Sequence, residues 1–274
     1  MLDVLAYCRD VNVWTPGVRY AAELAASLGA TLTGIHVAPL WPSHEPPGTP
    51  PSVMAELVAC AQEEVRTAME ADARFGVWAR GIGVSSTKWH VALGDPTEVL
   101  GVAGNWSDLI VIERRIGDRD NTMELLSEVL LSGFVCIAVP ENGYALTRFD
   151  RIAVAFDGSN ASIRALHAST PLLERAAHVI LIESETEGDA GEATSSSTFD
   201  PKRYLADRGV DVEVAPRDAL KATCAEGILE AASRNRADLL VSGAHGKRRL
   251  GDCRLDETSN HLLKYTGVPI LLAH

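Results

Sequence analysis

Two successive parallel α/β domains are what the 274-residue sequence predicts, on three observations: an internal repeat, a regular alternation of strand-like and helix-like segments, and strands that are short and continuously apolar. The repeat pairs Ser107-Asp108-Leu109-Ile110-Val111 with Ala237-Asp238-Leu239-Leu240-Val241, and Gly133-Phe134-Val135-Cys136-Ile137-Ala138-Val139 with Gly267-Val268-Pro269-Ile270-Leu271-Leu272-Ala273. Alternating strands and helices build a parallel sheet. Strands apolar on both faces fit a sheet that helices cover on both sides. The predicted class is therefore two tandem doubly wound parallel-sheet domains of five strands each, over residues 1–143 and 148–274.

In the first half the predicted order is strand 4–8, helix 16–28, strand 31–37, helix 53–75, strand 88–92, helix 96–106, strand 109–112, helix 122–131 and strand 135–139. Thr15 before Pro16 reads as an N-cap followed by a first-turn proline, and Gly29 closes that helix. Asp95-Pro96-Thr97-Glu98 adds an acidic residue at the third helical position. The second half repeats the order: strand 152–156, helix 161–175, strand 178–182, a reduced helix 201–207, strand 210–214, helix 224–235, strand 239–241, helix 258–265 and strand 269–272. Thr223-Cys224-Ala225-Glu226 is a capping box at the place of Asp95 to Glu98. Two stretches interrupt the symmetry, the proline-rich 38–52 and the acidic, hydroxyl-rich 184–200, and both read as mobile loops. Residues 140–147 are a short linker between the halves.

Composition narrows the function. Lys and Arg number 25 against 37 Asp and Glu, a formal charge of -12 that repels nucleic acid and anionic lipid. No apolar run approaches the roughly 20 residues that span a bilayer, and Asp3 stands where a signal peptide carries basic residues. The reading is a cytoplasmic protein with no nucleic-acid and no membrane partner. The five cysteines are scattered, without a CxxC pair, and read as reduced thiols. Cys8 and Cys136 fall in apolar strands and read as core, while Cys253 lies among basic residues. His36, His90, His178 and His261 fall on strands or helices and read as structural. His245, Asp256 and Cys253 lack a metal-ligand spacing, so no metal site is expected.

Parallel sheets of this kind bind ligands beyond the carboxyl ends of their strands. After the fourth strand of the second half comes Ser242-Gly243-Ala244-His245-Gly246-Lys247-Arg248-Arg249, and after its first strand Asp157-Gly158-Ser159. Two glycines three apart suit a turn whose N–H groups form a nest for phosphate, and the three cations add positive charge to an acidic chain. Asp157 suits a ribose or adenine edge. The plainer reading is a glycine turn with solvated cations and a helix cap at Asp157 or Ser159. In the first half the corresponding loop is Glu113-Arg114-Arg115-Ile116-Gly117-Asp118, which reads as a solvated charged loop, and no nucleotide is expected there.

The stretches Arg151 to Ser159, Ala237 to Gly246 and Thr266 to Leu272 together resemble the universal stress protein family, in its tandem, two-domain bacterial form. The resemblance covers nearly the whole chain and implies a Rossmann-like fold of the adenine nucleotide α-hydrolase type. It also implies that ATP is the ligand, with magnesium only if ATP binds. The implied contacts are Asp157 to adenosine, Ile182 against the adenine, and Gly243, His245, Gly246, Lys247 and the hydroxyl of Thr258 (or Ser259) at the phosphates. ATP-binding members follow G-x2-G-x9-G-[ST]; Gly243 and Gly246 match, but Asp256-Glu257 stand where the last pair belongs. Two carboxylates at a helix start satisfy its dipole and repel a triphosphate. The family further implies pairing of the two fifth strands within the chain, and a homodimer. Three readings stay open: a stress-response nucleotide or small-ligand sensor, a slow ATP hydrolase, and a ligand-free scaffold in which Asp256 and Glu257 replace phosphate. No catalytic motif is found.

Overall fold

The computed structural model describes residues 2–38, 50–115, 122–141, 149–183, 200–215, 224–249 and 252–274. The two stretches expected to be mobile loops, most of the expected linker and Thr223 of the expected capping box fall largely or wholly outside them. The chain divides into two compact units, Met1–Arg114 and Arg115–His274.

The first unit runs β1 (Asp3–Tyr7), α1 (Pro16–Leu28), β2 (Thr31–Ala38), α2 (Pro51–Ile82), β3 (Ser86–Leu93), α3 (Pro96–Ala103), a 3-10 turn (Gly104–Trp106) and β4 (Leu109–Arg114). Its strands lie in the order β3-β2-β1-β4, all parallel. The local signals act as the sequence suggests at several points. Asp95 caps α3 by accepting from the N–H groups of Thr97 at 2.8 Å and Glu98 at 3.3 Å. Gly29 ends α1 at φ 63°, a conformation that costs glycine nothing. Thr15 differs: it precedes α1 with Pro16 at the first position, but its side chain makes no cap hydrogen bond. The helix α2 is longer than its apolar periodicity suggests, because it continues past Phe75 until Gly83 breaks it at φ 110°.

The core of the first unit is built from Leu5, Leu32, Ile110, Ile112, Tyr20 and Leu24. Beside it Trp14, Phe75, Trp78 and Trp89 pack ring against ring, with centroids 5.0–5.9 Å apart. Such offset and edge contacts stabilise by about 1 kcal/mol each beyond burial. Gly34 makes room for them, since a methyl group there would lie 2.6 Å from Trp89 Cε3. Val11 and Trp14 reach this cluster from the loop that follows β1. Cys8 and Cys136, expected in cores, are fully buried, which pushes both thiols up. His36 is buried with Nδ1 2.8 Å from the Cys8 carbonyl, whereas His90 and His178 are exposed.

One expectation is corrected here. Glu113 and Arg114 do not lie in a solvated loop: β4 runs through both, and they are 4 % and 5 % exposed.

The second unit runs α4 (Thr122–Leu131), β5 (Cys136–Pro140), β6 (Arg151–Phe156), α5 (Asn160–Leu173), β7 (His178–Glu183), α6 (Pro201–Ala206), β8 (Val212–Val214), α7 (Cys224–Arg234), β9 (Leu239–Gly243), β10 (Gly246–Arg249), β11 (Asp252–Leu255), α8 (Glu257–Tyr265) and β12 (Ile270–Ala273). Its main sheet has the order β5-β12-β9-β6-β7-β8. All neighbours are parallel except β5 and β12, which pair antiparallel with Ile137 opposite Leu271. These are the two closing strands whose pairing the resemblance implied. The repeat read from the sequence divides the chain at 143–148, whereas compactness divides it at 114/115. The difference consists of α4 and β5, which pack with the second unit's elements. Among the described residues no helix is long and apolar enough to cross a membrane.

Candidate functional site

In the second unit β6 lies between β7 and β9, so the loops after β6 and β9 lie side by side at the carboxyl ends of these strands, where sheets of this kind bind ligands. The first loop is Asp157-Gly158-Ser159. Gly158 takes φ 76°, which turns the chain sharply into α5. Ser159 caps that helix by accepting from the Ser162 N–H at 3.1 Å. The Ser159 N–H in turn donates to Asp157 Oδ1 at 2.9 Å. This side-chain turn leaves Asp157 Oδ2 directed elsewhere.

Its partner comes from the second loop. His245 Nε2 lies 3.1 Å from Asp157 Oδ2 and 3.3 Å from Ser159 Oγ, so one imidazole ties the two loops together. His245 is itself fixed by its backbone: its N–H donates to Ser259 Oγ at 2.9 Å and its carbonyl accepts from the Asp256 N–H at 2.8 Å. The side chains of His245 and Asp157 remain 38 % and 30 % exposed. Burial pushes the Asp157 carboxyl up, but the hydrogen bonds from Ser159 and Ser162, together with the His245 charge, outweigh it and leave the acid below its ordinary value. Asp157 is thus an ionised acceptor at physiological pH.

Ser159, His245 and Asp157 have the composition of a nucleophilic triad without its geometry. A triad places serine and acid on opposite ring nitrogens, so that one orients the ring while the other gives up its proton. Here both converge on Nε2. Among the described residues no cluster of three His, Cys, Asp or Glu side chains is arranged to hold a metal.

The two glycines have packing roles. A methyl group at Gly243, the last residue of β9, would lie 2.6 Å from Ser162 N and 2.9 Å from the Ala161 carbonyl carbon, so the start of α5 rests directly on the strand. One at Gly246 would lie 2.6 Å from the Arg254 carbonyl oxygen and 2.8 Å from Leu131 Cδ2. Gly246 begins a β-hairpin, paired with Leu255, and Lys247 is paired with Arg254. The sequence suggested an open nest at this point; no described residue from 243 to 249 has the positive φ that a nest alternates. The hairpin replaces it, and α4 packs against the hairpin through Leu131. Lys247 is exposed; the side chains of Arg248, Arg249 and Cys253 lie outside the description.

The next helix, α8, is capped by Asp256, whose Oδ1 accepts from the Ser259 N–H at 2.8 Å, and Glu257 stands at its first position. Of the two hydroxyls considered from sequence, Ser259 is buried and bonded to His245, while Thr258 is part-exposed at the second helical position. Ile182, on β7 beside Ala155, is 1 % exposed and belongs to the packed interior; contact with an adenine there requires that interior to open. The structure therefore brings Asp157, Ser159 and His245 together, joins them to Ser259 and Asp256, and sets Lys247 on the hairpin. Ser162 and Leu131 were not legible as partners, because neither belongs to a motif.

Comparison with known proteins fits this frame. The model of the universal stress protein family matches residues 148–274. A universal stress protein from Archaeoglobus fulgidus DSM 4304 superposes with a TM-score of 0.69 at 16 % identity, covering 99 % of this chain and 95 % of that one. A structure from Pseudomonas aeruginosa UCBPP-PA14 described as a candidate universal stress protein gives 0.54 at 16 % identity, with 99 % and 92 % covered. The cytoplasmic domain of a prokaryotic cation chloride cotransporter gives 0.51 at 12 % identity, with 99 % and 95 % covered. At these identities the structural likenesses show the fold alone. No curated protein matches the chain in sequence. Residues 148–274 thus match the universal stress protein family, within a fold that the whole chain shares with the Archaeoglobus protein.

Proposed function

We propose that this protein acts in a stress response by binding rather than by catalysis, with a single small-ligand crevice in the second unit and an adenine nucleotide as the first ligand class to consider. The observation that carries this reading is the part-exposed Asp157–His245 pair, which presents an ionised acceptor and an imidazole across the two loops. In this assignment Asp157 meets the ribose or adenine edge, Ile182 the base, and Gly243, His245, Gly246, Lys247 and Thr258 the phosphate side. A ligand reaching Asp157 Oδ2 displaces His245 from it. The residues suit an adenosine moiety better than a triphosphate, because the cap of α8 is already the Asp256 carboxylate. ATP with magnesium is accordingly a weaker candidate than AMP or adenosine.

Calorimetric titration with adenosine, AMP, ADP and ATP, with and without magnesium, tests the proposal. One site per chain, weakened by Asp157→Ala, supports it. No heat and no thermal shift at millimolar ligand overturns it and leaves the second reading. In that reading the chain is a ligand-free scaffold, favoured by Asp256 holding the α8 start where phosphate is expected. Slow ATP hydrolysis finds less support, since both triad-type partners share one nitrogen of His245. The family resemblance also suggests a cytoplasmic homodimer, which light scattering on the purified chain tests for its oligomeric part.

A further inference from the structure

The repeat places Glu113 of the first unit at the position of Gly243 in the second, counting from Ser107–Val111 and Ala237–Val241. A glutamate at the place of a phosphate-loop glycine is a large change, and the structure shows where its side chain goes. Glu113 is 4 % exposed, and its Oε2 accepts from the N–H of Gly17 at 2.9 Å. Gly17 is the second residue of α1, so the carboxylate sits on the positive end of a 13-residue helix. The helix has no cap of its own, since the Thr15 side chain makes no cap hydrogen bond and the first turn carries no acid. The anion at its start is supplied from β4.

The close approach of strand and helix is common to both units, but its glycine has changed sides. In the second unit the glycine is on the strand: a methyl group at Gly243 would meet Ser162 N at 2.6 Å. In the first unit it is on the helix: a methyl group at Gly17 would lie 2.7 Å from Glu113 Cβ and 3.1 Å from its Cα. Position 17 must be this small because position 113 bears a side chain. Any side chain at position 113 would need that exchange; what a space-filling residue would not supply is a carboxylate oxygen on a helix N–H.

We infer that Glu113 is an internal ligand: its carboxylate occupies the anion position of the first unit, so that this unit is complete without any bound nucleotide. The loop after β1, which sends Val11 and Trp14 into the aromatic cluster, also replaces the Asp-Gly-Ser turn of the second unit. The first unit is then a constitutive half, and ligand dependence belongs to the second alone. This inference is independent of whether the second unit binds a nucleotide.

The test is chemical rescue in the full chain. Glu113→Ala removes the carboxylate and leaves a cavity above the Gly17 N–H. Its melting temperature is expected to fall by about 4–8 °C. Acetate or phosphate, titrated to about 0.2 M against chloride at matched ionic strength, is expected to recover a large part of that loss while leaving the wild type unmoved. Glu113→Gln keeps an oxygen for the Gly17 N–H without the charge; it is expected to melt below the wild type and to show no recovery. If Glu113→Ala melts with the wild type, or is destabilised but responds to no small anion, the inference is overturned. Should Glu113→Ala fail to fold, a Glu113→Gln protein as stable as the wild type overturns it equally, because charge at the helix start then contributes nothing.

Discussion

Replacing Gly243 by alanine separates a packing role from a ligand role. The added methyl group would stand 2.6 Å from Ser162 N, 2.9 Å from the Ala161 carbonyl carbon and 3.0 Å from Ala161 Cβ. Two of these three atoms are backbone at the start of α5, so no rotamer change relieves the contact, and the helix must withdraw by about 1 Å to reach ordinary van der Waals distance. Overpacking of this kind costs roughly 1–3 kcal/mol. For a unit of this size each kcal/mol lowers the melting temperature by about 2–4 °C, which gives an expected fall of about 2–12 °C. Gly267→Ala is the control, since nothing lies within 4 Å of a methyl group there. Circular dichroism is the suitable probe, since all five tryptophans, at 14, 41, 78, 89 and 106, precede the second unit. Withdrawal of α5 also draws Ser159 away from His245, which an NMR spectrum of the His245 ring reports. An unchanged melting temperature in Gly243→Ala, with ligand binding lost, would refute the packing argument and return the glycine to the ligand.

Other outcomes follow from the same geometry. Asp256→Ser keeps a cap for α8 and removes a carboxylate from the crevice, so ATP affinity is expected to rise severalfold by calorimetry with stability little changed. Asp157 titrates below its ordinary value in the folded protein, so its contribution is present above the unfolded pKa of about 3.9 and is lost as pH falls through the lower folded value. Acid denaturation curves of Asp157→Asn should therefore be flatter than the wild type below about pH 4. Asp95→Ala removes two hydrogen bonds at the start of α3 and is expected to cost about 1 kcal/mol in urea denaturation.

What could be read from the sequence was what short-range chemistry decides. The turn at Gly158, the caps at Asp95 and Ser159 and the proline at α1 each depend on two or three neighbouring residues, and the structure has them. The strand and helix order was legible because β strands covered on both faces leave long apolar runs. The hairpin of β10 and β11 was not, since Lys247-Arg248-Arg249 reads as a solvated loop until Leu131, more than 100 residues earlier, is known to lie against Gly246. Glu113 was misread for the same reason: a charged residue beside two arginines suggests solvent, and its bond to the Gly17 N–H, 96 positions earlier, is not visible in the sequence. Asp157 and His245 were each named from motifs, but their contact needed two loops that the chain separates by 88 positions.

The antiparallel pairing of β5 with β12 also sets a timetable. Ile137 leaves the ribosome about 130 residues before its partner Leu271, and at 5–20 residues per second that interval is on the order of ten seconds. Throughout it, the apolar segment Cys-Ile-Ala-Val-Pro has no β12 to receive its hydrogen bonds. The first unit can complete its own sheet β3-β2-β1-β4 in that time, because β4 precedes β5. The nascent chain thus passes through a stage with one finished half and one waiting strand, and synthesis speed becomes a determinant of how much protein escapes aggregation.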